Sequence, residues 1–220
     1  RVRDHFSENP EVHVRETSCL GRCDSAPAAL VNDLAQTVGA ARGDASPAAP
    51  SVTPRRWRCD PYSTEAERYG LLREFLTTPR IETADRFIAT LKDSGLRGMG
   101  GAGFPAAAKW EFVRNQSRTP NYLICNADES EPGTFKDREI LASLSHLVIE
   151  GMVLGALVVG ASRAILFIRH EYEPERHGFE AELSRVRNLG LLQQAEIEIE
   201  VFVSPGGYIL GEETALLECL

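Results

Sequence analysis

Residues 61–220 predict a layered α/β domain, and three observations carry the prediction. NYLICN (121–126), ILFIRH (165–170) and IEIEVFV (197–203) have the length and apolar, β-branched composition of strands. Segments of helical periodicity separate them, the order that builds a sheet with helices packed on it. A glycine-rich stretch, GLRGMGGAGFPAAAKW (95–110), stands before the first strand, and its glycines allow close approach of a ligand to the main chain.

Composition narrows the function. The chain has 220 residues and a formal net charge of -8, which argues against nucleic acid or an anionic membrane surface as principal partner. Its longest apolar run, LVIEGMVLGALVVGA (147–161), is interrupted by Glu150 and falls short of the ~20 residues that span a bilayer, so a buried helix is expected. Five irregularly spaced cysteines do not make a disulfide framework and fit a reducing cytoplasm. No N-terminal targeting signal is visible in a chain that starts at Arg1.

In chain order, Val12 and Val14 alternate as in a strand and lead into a turn carrying Cys19 and Cys23, with an apolar strand after it. Two thiolates separated by three residues supply half of a four-ligand iron or zinc site; two unliganded cysteines are the alternative. Residues 38–60 form a linker, rich at first in Ala, Pro and Ser. Ala66, Leu72 and Leu76 then follow helical spacing, as do Ala84, Phe87, Ile88 and Leu91.

Gly98, Gly100 and Gly103 fit G-x-G-x-x-G, but the segment before them is helical. The arrangement is therefore helix, loop, helix and not the first turn of a Rossmann unit. Pro105 is placed in the first turn of the second helix, where free amides and Lys109 suit an anion; a glycine hinge between packed helices is the other reading. NYLICN reads as a short strand buried on both faces and runs directly into ADESEPGT, which puts Asn126, Asp128, Glu129 and Glu131 at the carboxyl end of a strand, where α/β sheets bind ligands. A solvated acidic turn would look the same.

Asp137 opens a long helix through Ala161, and Phe179, Leu183 and Val186 share one face of the next. His146, His170 and His177 have no ligand spacing and are expected at the surface or its boundary. Ile197, Ile199, Val201 and Val203 alternate strictly toward the core. Glu212 and Glu213 begin the last helix, where a capping role competes with a binding one.

Residues 95–110, NYLICNADESEPGTFKDRE (121–139) and GGYILGEETALLE (206–218) resemble, in order and approximate spacing, the NADH-oxidising, FMN-binding flavoprotein subunits of respiratory complex I, NAD-reducing hydrogenases and soluble NAD-dependent formate dehydrogenases. The resemblance implies a bound FMN that takes a hydride from NADH and passes electrons singly to iron–sulfur clusters on partner subunits. The protein would then be cytoplasmic, or peripheral to the inner membrane in a complex I-like assembly. Gly98, Gly100, Gly101, Lys109, Asn126, Asp128, Glu129, Tyr208, Gly211 and Glu212 would surround FMN, with Gly103 completing the loop. Phe104 and Phe112 would sandwich the adenine of NADH, Glu131 would hold its carboxamide end and Glu213 its adenosine ribose.

CLGRCDSAPA (19–28) is similar to the second cysteine pair of a thioredoxin-like [2Fe–2S] domain, which makes residues 1–37 the end of such a domain and Cys19 and Cys23 half of its site. The first pair would precede Arg1, and a [4Fe–4S] cluster and further flavin contacts would follow Leu220. Met99 and Leu210 depart from the Arg and Cys of many complex I members. A flavin-free NAD-dependent dehydrogenase and a catalytically silent docking scaffold stay open as alternatives.

Overall fold

The computed structural model describes residues 9, 11–12, 28–31, 34–37, 57–99 and 101–220. Cys19, Cys23, Gly100 and residues 38–56 of the expected linker lie outside the described residues, as does the body of the expected thioredoxin-like segment. Of the first 37 residues, β1 (Ala28–Val31) and β2 (Leu34–Thr37) are described, and they pair antiparallel.

From residue 57 the order is α1 (Gly70–Thr77), α2 (Arg80–Ser94), α3 (Ala106–Arg114), β3 (Asn121–Ala127), α4 (Lys136–Val159), β4 (Ala161–Arg169), α5 (Glu173–Asn188), α6 (Leu191–Ala195), β5 (Glu198–Ser204) and α7 (Glu213–Cys219). β3, β4 and β5 form a parallel sheet in that spatial order. Right-handed crossovers stepping the same way across a sheet put α4 and α5 on one face, and the two helices pack against each other.

The core lies on that face. Register aligns Leu123 with Ala164, Cys125 with Leu166, and Leu166 with Val201. Ala164, Leu166, Ile168 and Ile199 are buried against Val153, Leu157, Phe179, Leu183 and Val186. Phe179, Leu183 and Val186 thus share one face, as their spacing predicts.

α4 is apolar almost all round because it is enclosed. It packs on β3 and β4 and touches α1, α2, α3 and α5. By length and composition it could cross a membrane, but 72% of its most apolar window is buried within this fold. Asp137 and Glu139 in its first turn favour the positive end of the helix dipole, and Gly160, at φ 72°, ends it in the left-handed conformation that costs glycine least.

His146 and Glu150, one turn apart on α4, fasten residues 57–72 to the core. His146 Nε2 lies 3.2 Å from Asp60 Oδ2. The Glu150 carboxyl accepts from the Tyr62 hydroxyl at 2.9 and 2.8 Å and, through Oε1, from the Leu72 amide at 3.0 Å. A core glutamate thereby satisfies a first-turn amide of α1, one of the groups a helix cannot satisfy itself.

Several sequence expectations are corrected. His146 is buried, at 2% exposure, because the segment before α1 covers it. α1 begins at Gly70 rather than near Ala66, after Tyr69 takes a left-handed turn at φ 66°. Pro105 is the N-cap of α3 and not in its first turn. NYLICN is an edge strand among the described residues, half-buried rather than enclosed, since β3 pairs with β4 alone there. Strict alternation fails at the end of β5: Val203 is exposed, and Phe202 stacks on Phe167 across the other sheet face at 5.4 Å between ring centroids.

Candidate cofactor site at the carboxyl edge of the sheet

The site is assembled from three segments that meet at the carboxyl ends of β3, β4 and β5. The first is the loop between α2 and α3. It closes on itself: the Gly98 amide donates to the Phe104 carbonyl at 2.8 Å, the Ala106 amide to the Leu96 carbonyl at 2.9 Å, and Arg97 Nη1 to the Gly103 carbonyl at 2.9 Å. Gly101 and Gly103 have φ of 98° and 61°, and a Cβ added to either would meet nothing within 4 Å, so the loop presents bare main chain to open space. The first-turn amides of α3, which lack intrahelical acceptors, and Lys109, with its exposed ammonium, stand beside it.

The second segment is the turn after β3. Asn126 is exposed and its Nδ2 donates to the Gly211 carbonyl at 2.7 Å. Asp128 is buried: its carboxylate accepts from the Ser130 hydroxyl at 2.7 Å and the Ser204 hydroxyl at 3.4 Å. Burial is the largest influence on this carboxyl and holds its pKa above the ordinary Asp value, against those hydrogen bonds and the nearby Arg169.

Glu129 is buried too, and its Oε2 accepts from the Asp137 amide at 3.0 Å and the Tyr172 hydroxyl at 3.1 Å. Its Oε1 has no hydrogen bond and faces Lys136 Nζ at 3.5 Å. Cys125, behind the turn, is inert as a thiolate because burial, with Asp137 nearby, pushes its pKa up to about 12.

The third segment follows β5. Gly211 lies so close to the second that an added Cβ would collide with the Asp128 carbonyl oxygen. The Tyr208 hydroxyl donates to Glu131 in a short hydrogen bond, which holds that phenol above its ordinary pKa. Glu212 is the N-cap of α7: its Oε2 accepts from the Thr214 and Ala215 amides at 3.0 and 3.1 Å, and these bonds lower its pKa. Glu213 reaches back to Lys109, 3.8 Å away.

The three segments therefore converge, but not all of their described predicted residues lie on open space. Gly101, Gly103, Phe104, Lys109, Phe112, Asn126, Glu131, Tyr208 and Glu213 are exposed or face the opening, Phe104 at 55% and Phe112 at 69%. That exposure keeps both phenylalanines out of the core. Asp128 and Glu129 form the buried floor of the turn, and Glu212 caps a helix.

Sequence reasoning missed the support behind the floor: Ser204, Tyr172, and Arg169 with Glu171. Arg and Glu two residues apart at a strand end were a visible signal, although their target was not. A cleft of about 610 Å³ lined by Arg163, Arg187, Gln193 and Glu196 lies at the amino end of the sheet, away from these residues. Among the described residues no group of His, Cys, Asp and Glu is placed to hold a metal ion.

Comparison with known proteins identifies the family. Residues 91–220 match the family model described as the Nuo51 FMN-binding domain. The chain is 46% identical over 142 residues to an NADH-quinone oxidoreductase subunit of Rhizobium meliloti, covering 62% of this chain and 33% of that protein. It is 39% identical over 154 residues to NAD-reducing hydrogenase HoxS subunit alpha of Cupriavidus necator, covering 67% of this chain and 26% of that protein. Among solved structures, a chain of an NAD+-reducing [NiFe]-hydrogenase in the H2-reduced state superposes with a TM-score of 0.74 at 34% identity, covering 99% of this chain and 42% of that one. The matched regions amount to about a third or less of each of these two curated relatives. With its family model spanning the glycine loop, the acidic turn and the last helix, this chain belongs to the Nuo51 FMN-binding domain family.

Proposed function

We propose that this chain is the flavin- and NADH-binding part of a diaphorase-type oxidoreductase subunit, exchanging electrons between NAD(H) and iron–sulfur acceptors. The observation that carries the reading is the meeting of three sequence-distant segments at one sheet edge, joined by Asn126 to Gly211, Lys109 to Glu213 and Tyr208 to Glu131.

The residues fit FMN. Bare main chain at Gly101 and Gly103 gives a flat phosphate-bearing ligand room to approach, and the α3 amides with Lys109 favour its phosphate. Glu129 Oε1, buried without a hydrogen bond and paired with Lys136 only across 3.5 Å, keeps acceptor capacity for a ligand donor. Gly98, Gly100, Asn126, Tyr208 and Gly211 complete the surround in this reading; Asp128 and Glu212 shape it from behind. When bound, FMN supplies the step between two-electron and one-electron chemistry.

The protein's own part is positioning. Phe104 and Phe112 offer exposed aromatic faces to the adenine. Glu131 accepts from the carboxamide, and Glu213 accepts from the adenosine 2′-hydroxyl, which disfavours a 2′-phosphate by charge. Iron–sulfur partners, a [2Fe–2S] site using Cys19 and Cys23, a [4Fe–4S] cluster and a cytoplasmic or membrane-peripheral location belong to the same reading.

FMN titration of the flavin-free complete protein tests it, with one equivalent bound as the expected result. Lys109 is exposed and its ionic partner among the described residues is Glu213. Lys109→Ala should therefore leave the fold intact and weaken FMN binding by about 1.5–3 kcal/mol, the range for a hydrogen bond to a charged group. Unchanged affinity in the variant would remove Lys109 from the phosphate site.

A further inference from the structure

We infer that Arg169, anchored on Glu171, is a positioning residue that holds the acidic turn in the shape a flavin requires. The inference rests on the flavin reading above for its ligand and on local geometry for its mechanism.

Arg169 ends β4 with its side chain 2% exposed, so it touches no ligand from solvent. Its guanidinium grips the Glu171 carboxylate as a fork, Nε to Oε2 at 3.0 Å and Nη2 to Oε1 at 2.7 Å. Burial works to raise the Glu171 pKa, but Arg169 outweighs it and keeps that carboxyl below its ordinary value. With the fork fixed, Nη1 donates to the Glu129 main-chain carbonyl, and Nε stands 4.0 Å from Asp128 Oδ1.

The same guanidinium lies over the Tyr172 ring, 5.3 Å from its centroid, and the Tyr172 hydroxyl donates to Glu129 Oε2 at 3.1 Å. Arg169 thus fixes the main chain of Glu129 directly and its side chain through Tyr172. In register, Arg169 pairs with Ser204, whose hydroxyl reaches Asp128. The Arg169 side chain thus ties the end of β4 to the turn after β3, and the Ser204 hydroxyl ties the end of β5 to the same turn.

Arginine is needed for this and lysine is not equivalent. The planar guanidinium supplies donors in fixed directions to Glu171 and to the Glu129 carbonyl at once. A lysine ammonium would keep the charge opposite Glu171 but could not reproduce the fork and the third bond together. Charge neutralisation and turn geometry can therefore be separated experimentally.

The test uses the complete protein, as wild type, Arg169→Lys, and the double variant Arg169→Met with Glu171→Gln, which removes both members of the fork together. Two quantities are read: FMN affinity by flavin fluorescence, and amide exchange of residues 128–131 in the flavin-free state. Both variants should bind FMN about tenfold to hundredfold more weakly, taking as the scale the loss seen when a support behind a metal-binding side chain is removed. Exchange at 128–131 should quicken while α4 stays protected.

Wild-type affinity in Arg169→Lys, or unchanged exchange at 128–131, overturns the positioning role. Loss of protection throughout β3, β4, β5 and α4 in both variants assigns Arg169 to the fold alone and also overturns it. If the double variant alone fails to fold, Arg169→Lys decides. A wild type that binds no FMN sinks the flavin reading instead, and the exchange measurement still judges the turn.

Discussion

Glu150→Ala should lower the local stability of α1 and the residues before it by about 2–4 kcal/mol, the sum expected when a buried amide and a half-buried hydroxyl lose their acceptor. The Leu72 amide and the Tyr62 hydroxyl both donate to this carboxyl, and its residue is 4% exposed, so water does not readily replace it. The measurement is amide exchange of the complete protein, in which the Leu72 amide should lose most of its protection. Glu150→Gln keeps one carbonyl acceptor and should cost less, about 1 kcal/mol. A change below about 0.5 kcal/mol in Glu150→Ala, the scatter of ordinary surface substitutions, would show that packing of Leu72 and Phe75 alone holds this segment.

The second large effect is expected at Gly211. A Cβ there would collide with the Asp128 carbonyl oxygen, and a main-chain atom cannot rotate away as a side chain does. Gly211→Ala must push the loop after β5 off the acidic turn and strain the bond from Asn126 Nδ2 to the Gly211 carbonyl. Overpacking costs about 1–3 kcal/mol, and its whole effect falls between two walls of the site. FMN affinity should drop by about a hundredfold, the upper end of that range at 1.36 kcal/mol per tenfold, with the core unaffected. Gly151→Ala is the control: it lies in α4 with nothing within 4 Å of the added methyl, and should be neutral or slightly stabilising. Equal FMN affinity in Gly211→Ala and wild type would mean that the two segments do not meet as described.

Local pattern made the elements legible. Ala84, Phe87, Ile88 and Leu91 fall within α2, and Phe179, Leu183 and Val186 are buried on α5, because 3.6-residue spacing is written along the chain. The three sheet strands were visible as apolar runs, and the helical segment before the glycine loop separated it from a Rossmann turn. The convergence of the loop, the acidic turn and the last helix start became legible only through motif resemblance, since no local pattern says that residue 126 meets residue 211.

What escaped the sequence is what depends on topology. His146 reads as a surface histidine until residues 57–72 fold over it, and β3 reads as an interior strand until the strand order leaves it at the edge. Alternation puts Phe202 on the face away from the helices, but its stacking there on Phe167 depends on β4 lying beside β5. Arg169 looks like an ordinary charge at the end of an apolar strand; its partner Glu129 lies 40 residues earlier and meets it only because β3 and β4 are parallel neighbours.

The most direct measurement of the proposed function is an anaerobic titration of the FMN-loaded complete protein with NADH, followed by the flavin's visible absorbance. One equivalent of NADH should bleach the bound flavin, and NADPH at the same concentration should do so far less, since the Glu213 carboxylate opposes a 2′-phosphate. A protein that takes up no FMN, or one whose bound flavin stays oxidised in the presence of excess NADH, would contradict a diaphorase role.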